Sequence, residues 1–223
     1  MKKMRNIKKM LKEDDLGDMG IGAMIVFIAM VLVAGIAASV LIQTANRLEI
    51  QAMQTGQETT EEVATGIGLE DITGQIGNYV GYTNGSILNV TICVSPRSGS
   101  KDIDLSNTII ELSDSTNKYL LLYNTTLGAL APAATGVFDT VSFATDASFG
   151  IIVLEDADGS CVTANPVINR GDHVLLTMSA GALFGGLTER TDIWGMVIPE
   201  SGAPGVFAFR TPASYPDTIY DLY

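Results

Sequence analysis

Apolar positions follow two regimes along this chain of 223 residues. From Ile21 to Ile42 it reads IGAMIVFIAMVLVAGIAASVLI, 22 residues without a charge. A helix needs roughly 20 such residues to cross the hydrocarbon core of a bilayer. Further on, Ala45, Leu48, Ala52 and Met53 recur near helical spacing, with Gln43, Asn46, Arg47, Glu49 and Gln51 between them. The pattern predicts one helix from residue 21 to about 65, apolar all round in its first half and one-sided in its second. Gly56 weakens it, and Gly66, Gly68 and Gly74 end it. Small residues four apart, Ala34 with Ala38 and Gly35 with Ser39, allow close approach of a neighbouring helix, although ordinary membrane spans carry such spacings too.

Past residue 70 the period falls to two. Leu88-Asn89-Val90-Thr91-Ile92-Cys93-Val94 alternates as a half-buried strand does. Thr108–Leu112, Tyr119–Tyr123, Val137–Phe143, Gly150–Leu154, His173–Met178, Trp194–Ile198 and Val206–Arg210 are further strand candidates. Turn-rich pieces at Pro96–Ser100, Asp156–Ser160 and Glu200–Gly205 separate them. Many short strands with regular turns predict an antiparallel sandwich or barrel. The expected architecture is α+β: a long N-terminal hydrophobic helix over 21–68, then an antiparallel, Ig-like β-sandwich over 69–223.

Charge is divided just as sharply. The first 20 residues hold Lys2, Lys3, Arg5, Lys8, Lys9 and Lys12 against Glu13, Asp14, Asp15 and Asp18. Seven of the 13 basic residues and 21 of the 25 acidic ones remain for the rest, which therefore carries about −14. An acidic exterior argues against nucleic acid as a partner, since that needs a Lys/Arg footprint. Six basic residues just before the apolar run should hold the N-terminus in the cytoplasm while the rest crosses.

Catalytic signals are weak. His173 is the one histidine, and beside Asp172 it reads as a solvated or hydrogen-bonded side chain. No Gly-x-Ser-x-Gly, phosphate-binding glycine loop or metal-spaced His/Cys cluster occurs. Cys93 and Cys161 are the only cysteines; a disulfide between them and two buried free thiols both fit an exported domain. Asn84, Asn89 and Asn124 each begin an Asn-x-Ser/Thr sequon and are glycosylation candidates. Glu155, Asp156 and Asp158 form an acidic turn of the oxygen-rich kind that calcium favours, although no Glu follows at the twelfth position of a helical calcium loop.

The junction Leu16-Gly17-Asp18-Met19-Gly20, followed by Ile21-Gly22-Ala23-Met24-Ile25-Val26-Phe27-Ile28-Ala29-Met30-Val31-Leu32-Val33, resembles the N-terminus of the archaellins, the archaeal flagellins. The likeness continues through Thr55–Val63 and echoes in Ser100–Ser106 and Arg210–Ala213. Members often carry basic residues before the glycine, where this chain has Asp18 and Met19. Related type IV pilins place a glutamate at the fifth mature position, where this chain has Ile25.

The resemblance implies that residues 1–20 are a leader, cut between Gly20 and Ile21 by a prepilin-type peptidase. It implies transient insertion in the cytoplasmic membrane, then polymerisation into an extracellular swimming filament on a membrane assembly and motor platform. The partners are copies of the chain itself, alone or with paralogous subunits, and no enzyme activity or cofactor is implied beyond the candidate calcium. Ile25, Phe27, Met30, Ala34, Gly35, Ala38 and Ser39 would pack the filament core. An adhesive pilin and a membrane-anchored extracellular binding or enzymatic domain are the alternatives.

Overall fold

The computed structural model describes residues 2–77, 85–130, 136–138, 143–144 and 146–223. Helix α1 runs unbroken over Lys2–Ala64, 63 residues. It begins in the charged head rather than at residue 21, because Lys, Met, Leu and Glu there are good helix formers and no proline intervenes. It ends at Ala64, short of the expected 68, and a strand already starts at Ile67. The exit is held locally. The Thr65 amide donates to Glu61 O at 2.8 Å, the Gly66 amide to Ser100 Oγ at 3.0 Å, and Lys101 pairs with Glu61. The chain divides into two compact units, Met1–Gln57 and Glu58–Tyr223.

The second unit is built from β1 (Ile67–Ile76), β2 (Ile87–Pro96), β3 (Ile103–Asp104), β4 (Ile109–Ser113), β5 (Lys118–Tyr123), β6 (Ala129–Leu130) and β7 (Ser148–Glu155). Then follow β8 (Cys161–Val162), β9 (Asn165–Ile168), β10 (His173–Ser179), a one-turn helix α2 (Ala180–Phe184), β11 (Asp192–Ile198), β12 (Gly205–Arg210) and β13 (Ile219–Asp221). Ten strands form one sheet in the order β12-β11-β4-β5-β7-β10-β2-β1-β13, with β6 beside β7, and β3-β9-β8 form a second. All pairings are antiparallel except β5–β7 and β6–β7. The large sheet curls on itself: the Ala203 amide donates to Thr65 O at 2.8 Å, and the Ile67 amide to Ala203 O at 3.2 Å. Both halves of the sheet feed one core around Phe149, Phe207, Ile92, Ile151, Ile110 and Leu176. The two layers expected of a sandwich are thus one continuous, mostly antiparallel sheet wrapped around its core.

Burial follows position in the sheet. β11 and β12 have one face outward and alternate, with Ile193, Val197, Phe207 and Phe209 buried. Central β2 lies between β1 and β10 and is buried on both faces, which is why Thr91 and Cys93 are covered as well as Ile92 and Val94. Of the expected strands, Val137 and Phe138 instead lie in a turn, and residues 139–142 fall outside the described residues.

Of the two readings open for the cysteines, the structure holds the free thiols. Cys93 and Cys161 are both free and buried. Val94, next along β2, packs in the same core as Cys161, so Cys93 faces the other side of the sheet, with Ile152 and Leu175. Strand alternation therefore keeps the sulfurs apart. Burial raises both thiols, that of Cys93 to about 11 and that of Cys161 to about 12.

Gly195 marks the tightest inward position of β11. A Cβ there would overlap Glu111 O and lie 2.6 Å from Phe207 Cζ. Gly195→Ala is expected to destabilise the β domain by about 1–3 kcal/mol, the usual cost of overpacking. Thermal unfolding of the full-length chain in detergent reads this, and an unchanged midpoint would show that β11 shifts freely.

Candidate functional site

The apolar part of α1 is exposed along its length. Every residue from Gly20 to Ala64 is exposed, including Ile25, Phe27, Met30, Val33 and Leu41. The span is long and apolar enough to cross a membrane. Val26, Ala29, Met30, Val33, Ala34 and Ala37 line a shallow groove along one face, the i, i+3, i+4, i+7 spacing that a helix brings together. Of the residues expected to pack, Met30 and Ala34 lie in this groove, while Ile25, Phe27, Gly35, Ala38 and Ser39 occupy other parts of the circumference. Polar side chains at the end of the run bond back along the helix: Thr44 Oγ1 donates to Leu41 O at 2.9 Å, and Gln43 Nε2 to Ser39 Oγ at 3.4 Å. From Ile21 to Ala38 no side chain is polar, so that part of the surface can enter a dry environment on all sides.

The acidic turn is rearranged relative to expectation. Asp156 and Asp158 do converge, but their third partner is Asp172 rather than Glu155, and the three carboxylates lie within 4.8 Å of one another. Glu155 ends β7 opposite His173, outside the cluster. Asp156 ties the loop by accepting from the Gly159 amide at 2.7 Å and the Cys161 amide at 3.0 Å. Asp158 accepts from the Ser160 amide at 2.9 Å, and hydrogen bonds led by that serine hold its carboxyl below the usual range. Asp172 is wholly buried. Its Oδ2 accepts from the Asn169 amide at 2.8 Å, and its Oδ1 has no partner. Among the described residues no Lys or Arg forms an ion pair with any of the three. Asp172 was hidden in the sequence because it lies beyond β8 and β9, and only the pairing of those strands returns it to the turn.

Comparison with known proteins bears on the helix. The model of the archaeal-type flagellin family matches residues 17–209. The chain belongs to that family. Flagellin B2 of Methanocaldococcus jannaschii is 47% identical over 207 residues, covering 91% of this chain and 92% of that protein. Flagellin B1 of the same organism is 41% identical over 211 residues, covering 92% of this chain and 94% of that one. The crystal structure of archaeal flagellin FlaB1 from M. jannaschii aligns with a TM-score of 0.58 at 31% identity, covering 71% of this chain and 97% of that one. The archaeal flagellum of Methanospirillum hungatei aligns with a TM-score of 0.63 over 91% of this chain and 98% of that one, a likeness of fold at 14% identity. As an archaeal flagellin, the protein is a structural subunit of an extracellular, self-assembled filament and not an enzyme.

On this flagellin the three sequons differ in setting. Asn84 lies outside the described residues. Asn89 sits half-buried in central β2, and its Nδ2 donates to Gln75 Oε1 at 3.1 Å. Asn124 follows β5 in a turn, where its Oδ1 accepts from the Thr126 amide at 3.0 Å.

Gly35 isolates what the helix surface does. A Cβ there meets nothing within 4 Å in the subunit. Gly35→Leu should therefore leave folding of the β domain unchanged and act only where another helix approaches. Filament yield by electron microscopy should fall several-fold while the unfolding midpoint holds. Normal filaments would show that no neighbour approaches Gly35 closely.

Proposed function

We propose that this flagellin is made with a removable leader, residues 1–20, and that cleavage between Gly20 and Ile21 switches α1 from lipid to filament core. The uncharged, wholly exposed helix surface directly behind a charged head carries this reading. While attached, six basic side chains keep the N-terminus on the cytoplasmic face, because moving them through hydrocarbon costs several kcal/mol, about 2.5–3.5 per charge on insertion scales. Once they are gone, lipid and a bundle of apolar helices are similarly dry surroundings, and close packing decides between them. Leaving the bundle for water would cost on the order of tens of kcal/mol by area. A leader peptidase and a membrane assembly and motor platform are the further partners this route requires, with swimming as the output. Head-to-tail contacts between identical subunits give an open helix rather than a closed ring.

Two measurements test the switch. N-terminal sequencing of sheared filaments should begin at Ile21, and a start at Met1 would end the proposal. Gly20→Val should leave unprocessed chain in the membrane fraction and immobile cells; swimming cells with processed filaments would place the cut elsewhere.

We further propose that Asp156, Asp158 and Asp172 bind calcium and so brace the outer domain. Among the described residues, a wholly buried carboxylate with a free oxygen sits beside two others and has no basic ion-pair partner, so it lacks a counter-charge there. An all-oxygen donor set suits a hard divalent cation. Calcium at a hundred times its dissociation constant would stabilise by about 2.7 kcal/mol. The full-length chain should melt higher in calcium than in chelator, and Asp172→Asn should abolish the difference. Equal midpoints with and without calcium would remove the ion from the account.

A further inference from the structure

We propose that Glu70, Cys93 and His173 form a second cation site, selective for a thiophilic divalent transition metal such as zinc, on the face of the curled sheet turned away from its main core. The three side chains come from neighbouring strands and converge on one point. Glu70 Oε2 lies 2.9 Å from His173 Nδ1 and 3.7 Å from Cys93 Sγ, and the three donor atoms all fall within 4.8 Å of one another. A single carboxylate oxygen thus faces both a ring nitrogen and a sulfur. A histidine hydrogen-bonded to a glutamate would account for the first contact alone.

Backbone geometry explains how such distant residues meet. β1 and β2 pair antiparallel, but the register shifts between Leu69 and Asp71, so Glu70 is the extra residue of a bulge. A bulge re-aims one side chain and leaves the ladder intact on either side. Cys93 pairs with Asp71 in β1 and with Leu175 in β10, which places it between the strands of its two partners. His173 opens β10 two residues before Leu175 and therefore shares the face of Cys93. Ser95, two residues along β2 from Cys93, donates to Glu70 Oε1 at 2.7 Å. That bond fixes the carboxylate from behind, as an outer-shell partner does at a metal site.

The donor set decides the class of ion. A thiolate, an imidazole and one carboxylate select zinc and its neighbours over calcium or magnesium. Bonds of about 2.0–2.3 Å in a tetrahedral site imply donor separations of about 3.3–3.6 Å, so the 2.9 and 3.7 Å spacings from Glu70 lie within about half an ångström of a zinc site, and the His173–Cys93 spacing, below 4.8 Å, closes by a rotation of the partly exposed imidazole. The side chains of Glu70 and His173 are 42% and 37% exposed, which leaves a way in and a fourth position for water. Asp71 also bears on Cys93, Glu155 lies opposite His173, and among the described residues no Lys or Arg lines the adjoining depression. Negative charge there attracts a cation. On binding, the Cys93 thiol proton leaves to water as the sulfur–metal bond forms, and no electrons are transferred. The site is distinct from the acidic loop, which offers oxygen alone.

Cobalt(II) is the spectroscopic probe, used on the full-length chain in detergent so that the result does not depend on filament assembly. Chelator-stripped protein should bind one cobalt per chain with a thiolate-to-cobalt charge-transfer band, and zinc should displace it. Cys161→Ser should keep the band and Cys93→Ser should lose it. His173→Gln, a change at a partly exposed position, should weaken binding at least tenfold while the unfolding midpoint stays put. A charge-transfer band that is absent, that follows Cys161, or that is indifferent to His173 overturns the site. Calcium does not yield such a band, so occupancy of the acidic loop cannot imitate the result.

Discussion

An all-round apolar helix cannot remain in water as a single rod. From Ile21 to Ile42 no side chain is charged, and every residue is exposed. Amphipathic helices solve this by turning one face to a core; a helix without a polar face needs apolar neighbours on every side. Only lipid or other copies of the helix can provide them. The rest of the chain must tolerate that demand, and filament formation is how a flagellin meets it.

The β domain answers a different constraint. It must stay soluble at high local density while the helices pack, and it does so with an acidic exterior and a core that is closed within one chain. Curling the large sheet until Ala203 meets Thr65 and Ile67 brings both halves onto shared apolar contacts. The same closure anchors the end of α1, since Thr65 and Gly66 are bonded by residues 100, 101 and 203. Helix exit and sheet closure therefore share one set of hydrogen bonds.

Polar chemistry collects where strands end or slip. Asp172 and His173 are consecutive at the start of β10, yet they serve opposite clusters because neighbouring residues point to opposite faces. Asp172 turns to the β7–β8 loop and is buried there without a partner for one oxygen, whereas His173 turns to the Glu70 bulge. One dipeptide thus links an oxygen cluster and a mixed sulfur, nitrogen and oxygen cluster.

Local pattern was enough for the helix, for its uncharged span, and for the strands β2, β4, β5, β7, β10, β11 and β12. Each depends on periodicity within about ten residues, which a chain displays whatever its tertiary contacts. β1 was not legible, because Gly68, Glu70, Asp71 and Gly74 look like a helix stop and a turn; only pairing with β2 and β13 makes that stretch a strand. The separation of Cys93 from Cys161, the exchange of Glu155 for Asp172 and the meeting of Glu70 with His173 likewise awaited the fold. They rest on register between strands far apart in sequence, and a shift of one residue in that register would turn every side chain involved to the other face.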